Sequence, residues 1–222
     1  MAIEPRISPM RTRVGERLLL SAGGTSGNEA LTTVTGTLLV VLLAVIGLTL
    51  LRLRTLMWVH LFVGLLLIGP VTLKLASTGY RFVRYYTHNA AYRMKGPPPA
   101  ILRSLAPLVV LSTVIVFASG VALLFTGPSE RGTLQPIHKI SFIAWTALTG
   151  LHVLGHLPEI PGVLRREYAR AGIESPPTPG RSGRTFALAG ALVGGVVIAL
   201  LLIPEFSSWM HWNSVLHGHG DH

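Results

Sequence analysis

Four histidines stand where the chain is otherwise nearly as apolar as lipid: His60 in MWVHLFVGLLL, and His138, His152 and His156 in HKISFIAWTALTGLHVLGH. An imidazole in hydrocarbon is costly unless it hydrogen-bonds, relays a proton or ligates a metal, so each is a candidate for chemistry. The plain alternative is a neutral ring hydrogen-bonded to a neighbouring helix. Spacing bears on the choice. His138 and His152 are 14 residues apart, which on a helix is about 21 Å along the axis with nearly the same facing. They are two positions on one helix face, one towards each membrane surface. His156 follows His152 by one turn on that face.

Membrane helices must position these residues. The chain of 222 residues is half hydrophobic and only 13% charged, with a mean hydropathy of +0.54, far from the charged surface a soluble domain needs. Crossing a hydrocarbon core takes about 20 helical residues. Five segments meet that length, near 31–51, 57–77, 101–125, 136–157 and 185–205. The expected fold is an all-α integral membrane bundle of five transmembrane helices: a four-helix unit over 31–157 with a fifth, peripheral helix over 185–205. Gly69 and Pro70 should kink the second span. The glycines of GALVGG in the fifth span suit close docking to the bundle or to a second protein. Residues 158–184, rich in Pro and Arg, read as a loop.

Charge sets the expected orientation. With five crossings, fourteen Lys and Arg lie on the side of the N-terminal tail, against Arg52, Arg54, Arg131 and Lys139 on the other. The bias places the 1–30 tail, the 78–100 connection and the 158–184 loop in the cytoplasm of a plasma (inner) membrane protein, and the His-rich 206–222 tail outside. The first twenty residues lack the apolar core and cleavage pattern of a signal peptide, so no removal is expected. The net charge of +10 flanks apolar segments rather than forming a basic face, so membrane lipid, not nucleic acid, is the expected partner.

His60 lies three residues into the second span and His138 two into the fourth, and both spans run inward from the same side. The two imidazoles are therefore level, as bis-imidazole ligation of a haem iron between helices requires. Gly64, one turn after His60, leaves room for a flat ring. The residue 14 after His60 is Lys74, so His152 faces a lysine at its own depth. That amine can ligate only if neutral; otherwise it snorkels or pairs with an anion. His88 lies too far along the chain to replace it.

The placement of His60 against His138, with His152 14 residues further on, resembles the membrane b-type cytochromes, including the cytochrome b561-like and the hydrogenase or formate dehydrogenase cytochrome b subunits. The resemblance covers roughly residues 31–157 and implies electron transfer through b-type haem. It implies one haem on His60 and His138 near the outer face and a possible second near His152, Lys74 and His156. It also implies a quinone and a redox partner subunit, and an electron-transfer subunit of an oxidoreductase rather than a stand-alone enzyme. The Lys74 position departs from the family's paired histidines.

Arg81 and Arg84, with Tyr80, Tyr85, Tyr86 and Tyr92, read as a basic and aromatic belt at the membrane surface, or as contacts for haem propionates or lipid. In the external tail, Trp209 and Trp212 read as interfacial anchors, and His217, His219 and His222 as a weak Zn or Cu site. The chain has no cysteine, which excludes disulfides and thiolate-ligated metal centres. It carries no Walker, Rossmann, HExxH or triad motif, so hydrolase and phosphoryl-transfer functions lack support. The competing reading is a non-haem membrane scaffold or metal-handling accessory protein whose histidines pack or line a metal path.

Overall fold

The computed structural model describes residues 24–96, 100–126, 131–168 and 180–210. Among these residues the chain is helical without strands, and five helices are long and apolar enough to cross a membrane. The first crossing is α1 (Gly24–Leu51). The second is two helices, α2 (Leu53–Leu66) and α3 (Ile68–Tyr86), followed by the short α4 (Ala90–Met94). The third is α5 (Ala100–Thr126) and the fourth α6 (Arg131–His156). The fifth is α8 (Arg181–Leu201). Large apolar side chains such as Leu48, Leu51, Ile140, Ile143 and Phe186 point outward, which suits a surface solvated by lipid rather than water. The buried positions of α1 instead include Gly27, Thr35 and Thr49, because small and hydroxyl residues let membrane helices approach and bond.

The helix is interrupted for one residue beside Gly69 and Pro70, and the cause can be traced. The second crossing breaks at Leu67, and Pro70 lies just inside α3. A proline ring has no N–H to offer the carbonyl four residues back, that of Leu66. That carbonyl meets Gly195 of α8, where an added Cβ would stand 2.1 Å from the Leu66 oxygen. Reciprocally, a Cβ on Gly69 would stand 1.9 Å from the Ala191 carbonyl oxygen. Backbone therefore packs on backbone at the break, and only glycine fits at both places.

The docking role expected for GALVGG is thus fulfilled against the second crossing, and the grouping differs from a four-helix unit with one helix added at its edge. The first, second and fifth crossings pack together, and α5 pairs closely with α6. The two groups meet at their ends. At the end holding Leu51, Leu65, Leu123, Leu124, Ala199, Phe206 and Trp209 form an apolar cluster, and Trp209 Nε1 donates to the Leu123 carbonyl at 3.1 Å. Trp209 is buried, so it clasps helices together rather than anchoring the chain at the lipid interface. Trp212 lies outside the described residues.

At the opposite end, the region read as a loop begins as helix. Residues Leu157–Glu159 form a 3₁₀ turn and Ile160–Tyr168 form α7, which packs on α1. Its Glu167 receives three hydrogen bonds from Arg184 at the start of α8, at 2.7 to 3.0 Å, and both side chains are buried. A bidentate guanidinium and carboxylate pair is the geometry that best offsets the desolvation of two charges.

Candidate functional site

The group formed by α1, α2, α3 and α8 and the pair formed by α5 and α6 are held at both ends. Between them run two polar layers. The first contains His60 and His138, which lie within electrostatic reach of each other. His60 extends from α2, and its Nδ1 is 2.9 Å from Thr49 Oγ1 on α1. The Thr49 hydroxyl hydrogen is already given to the Ile46 carbonyl at 2.6 Å. With that hydrogen on the carbonyl its oxygen accepts, and the tautomer of His60 protonated on Nδ1 satisfies both bonds. His138 repeats the device from α6. Its Nδ1 lies 3.0 Å from Ser119 Oγ and 3.1 Å from the Val116 carbonyl, both on α5, while the Ser119 hydroxyl donates to that same carbonyl. A carbonyl only accepts, so here too the proton sits on Nδ1.

Both rings therefore keep an unprotonated Nε2, and among the described residues neither Nε2 has a hydrogen-bond partner. An imidazole held through Nδ1–H with its Nε2 lone pair free is the form in which histidine ligates a metal, and the bond at Nδ1 fixes its orientation and raises its basicity. A glycine lies near each ring. Gly120 of α5 lies under the His138 ring, where a Cβ would come 3.0 Å from Cε1. Gly64, one turn from His60, has open space where its Cβ would be.

In donor type and tautomer the two rings suit ligation of an iron cofactor through Nε2. No group of three or more His, Asp or Glu capable of holding a bare metal ion occurs among the described residues.

The second layer contains Lys74, His152 and His156 and is built differently. Lys74 Nζ donates to the Thr32 carbonyl of α1 at 2.7 Å and fills the space left by Gly36, whose Cβ would lie 2.9 Å from it. Around it, Asn28 Nδ2 donates to the Ser77 carbonyl and the Thr32 hydroxyl to Ser77 Oγ. Lys74 therefore points at α1 and does not present an amine as the axial partner of His152. His152 lies within electrostatic reach of Lys74 and meets His156 edge-on, with ring centroids 4.8 Å apart. His152 Nδ1 and Thr149 Oγ1, one turn earlier, are buried without hydrogen-bond partners. His156 is half-exposed and pairs with Glu159 at 3.4 Å, which places it at the wet edge of the layer. A second imidazole pair is not assembled here.

Of the other sequence candidates, Arg84 stacks its guanidinium over Tyr80 at 5.9 Å, and its Nε is buried without a partner. Tyr80 packs edge-on against Tyr92. Tyr92 lies on α4, and burial followed by the neighbouring Tyr80 raises its phenol above the usual range, while Arg84 and Arg81 pull it down. Tyr80 and Tyr86 are exposed there beside Arg84, and Tyr92 is buried against Tyr80. His88 takes a left-handed conformation, with φ of 60°, beyond the end of α3, a turn position far from either layer. His217, His219 and His222 lie outside the described residues.

The sequence reading missed Thr49, Ser119 and Gly120. Their signal was there to find: single small or hydroxyl residues within otherwise apolar spans, at the depth of each histidine. Compared with family models, curated proteins and solved structures, the chain matches none.

Proposed function

We propose that the chain is a membrane electron-transfer protein that holds one b-type haem between His60 and His138, as the resemblance to membrane b-type cytochromes implies. The observation that carries this reading is the paired tautomer. Two imidazoles on separate helices each give their Nδ1 proton to a neighbouring helix, and neither Nε2 has a hydrogen-bond partner among the described residues. Thr49, Ser119 and Val116 orient the rings, Gly120 accommodates the His138 ring, and Gly64 leaves open space one turn from His60. The haem supplies one-electron chemistry, and the chain supplies ligation, burial and position. Because the chain has no flavin or nicotinamide motif, it works with a redox partner subunit and the quinone pool. The Lys and Arg bias supports a plasma (inner) membrane location with the N-terminus cytoplasmic and the C-terminal tail external.

The Lys74 layer carries no second haem in this proposal, since the amine is engaged by the Thr32 carbonyl. The test is the visible spectrum of purified protein with haem quantitation per chain. Low-spin b-haem bands in the reduced-minus-oxidised difference, at one haem per chain, are expected. A folded, colourless protein that takes up no added haem would overturn the reading. In that case the same hydrogen bonds from Nδ1 favour the rival, a non-haem scaffold whose histidines tie helices together.

A further inference from the structure

The second crossing ends in two arginines, Arg81 and Arg84, to which no described residue offers an anion. The four acidic side chains among those residues are placed elsewhere. Glu29 pairs with Lys95, Glu159 with His156 and Glu167 with Arg184, and Glu205 lies in the 3₁₀ turn Ile203–Phe206 at the opposite end. Arg54 and Arg81, near the two ends of the second crossing, are 27 residues apart, about 40 Å of helix. That is about the thickness of a bilayer with its headgroups, so Arg81 and Arg84 stand at the depth of lipid phosphates. Arg84 is held in place although it is unpaired. Its guanidinium stands over the Tyr80 ring, 5.9 Å from the centroid, and Tyr80 packs edge-on at 6.1 Å against the buried Tyr92. Its Nε is shielded and has no hydrogen-bond partner, whereas its two Nη atoms are not buried and are also unbonded among the described residues. Arg81, one turn before Arg84, is its neighbour on the surface of α3.

We propose that this corner binds the headgroup of one anionic phospholipid, with the Nη edge of Arg84 donating to two phosphate oxygens and Arg81 adding a second positive charge. A guanidinium matches two phosphate oxygens at once, and stacking on Tyr80 fixes it before the lipid arrives. Two cations favour a lipid of net negative charge over a zwitterionic one, whose own ammonium offsets its phosphate. A lipid is favoured over free phosphate because Phe82, Val83 and Tyr86, on the same turns of α3, are exposed and give the acyl chains an apolar surface. The chain's own N-terminal tail is a poorer occupant, since residues 1–23 carry Arg6, Arg11, Arg13 and Arg17 against Glu4 and Glu16. A haem at His60 is out of reach, because Arg81 lies 21 residues further along, about 31 Å of helix. The site therefore does not depend on the haem reading.

The test uses the full chain in dodecyl maltoside, titrated at neutral pH with phosphatidylglycerol and, separately, with phosphatidylcholine and with sodium phosphate. Bound lipid per chain is counted by native mass spectrometry, and the thermal unfolding midpoint is followed because a ligand of the folded state raises it. The expected result is one phosphatidylglycerol per chain at saturation with a matching rise in the midpoint, a weaker response to phosphatidylcholine and none to phosphate. Arg84→Gln should raise the half-saturating concentration about tenfold, the worth of one hydrogen bond to a charged group. Arg81→Gln should raise it about fivefold, the worth of one cation beside an anionic headgroup. Arg103→Gln, which removes an exposed cation at the start of α5, should leave it unchanged. If phosphatidylcholine binds as tightly, or if Arg84→Gln titrates like the parent, the proposal fails. Equal weakening by Arg103→Gln would show general charge attraction and overturn the site. The same saturable rise with phosphate would overturn the assignment to a lipid. Should Arg84→Gln not fold, Arg84→Lys decides alone: it keeps the charge but loses the fork, and an unchanged half-saturating concentration refutes the site.

Discussion

The His60–His138 layer and the Lys74–His152 layer lie on the same two crossings and use residues of the same character, yet they are finished in opposite ways. In the first, each Nδ1 is bonded across to the next helix, to Thr49 or to Ser119 and Val116. In the second, the lysine is drawn to its own neighbour, α1, and two polar atoms on α6 are buried without partners. Similar polar residues at matching spacing therefore do not make two copies of one site. What differs is whether a second helix offers an acceptor at the same depth, because an oriented imidazole has to be held from behind before its other nitrogen can be used.

The largest effect that would break this contrast is at the ligands themselves. His60→Ala and His138→Ala should each abolish haem binding, seen as complete loss of the b-type spectrum, while Lys74→Ala leaves that spectrum intact. Loss of haem from Lys74→Ala would mean that the layers have been assigned wrongly. A smaller effect is expected from the groups behind the rings. Thr49→Val or Ser119→Ala keeps both ligands but frees a ring, and haem affinity in a titration of apoprotein should fall about 10- to 100-fold. An unchanged affinity would show that the Nδ1 bonds do not orient the imidazoles.

Gly120→Ala should have a more modest consequence. Its methyl would stand 3.0 Å from His138 Cε1, so the ring shifts by a few tenths of an ångström. The spectrum should persist while the reduction potential changes, and an identical potential would argue that the ring has slack. The smallest effect is expected from Lys74→Met. Removing a lone buried cation in favour of an apolar side chain of similar length should leave stability within about 1 kcal/mol of the parent in denaturant unfolding.

Much of the scaffold was legible because lipid imposes a simple rule: about 20 apolar residues make a crossing, and Gly69–Pro70 marks a break. The helix over 160–168 was not, because Pro158 and Pro161 look like terminators. They sit in the first turns of the 3₁₀ segment and of α7, where a proline's missing N–H costs nothing. The Glu167–Arg184 pair joins residues 17 positions apart across an intervening segment, a distance no local pattern reports. Trp209 was misjudged for another reason. Tryptophan near the end of a span suits the interface, but its indole N–H also suits a helix carbonyl, and packing against Leu123 and Phe206 decided between them.

The contact of the Leu66 carbonyl with Gly195 also bears on how the protein is made. The second crossing leaves the ribosome more than a hundred residues before the fifth, and until α8 arrives the carbonyl freed by Pro70 faces hydrocarbon without cover. A chain stopped ahead of residue 180 would carry that exposed group permanently, so the last helix completes a membrane-side defect left by the second. Its docking is thus what covers that carbonyl in the folded chain.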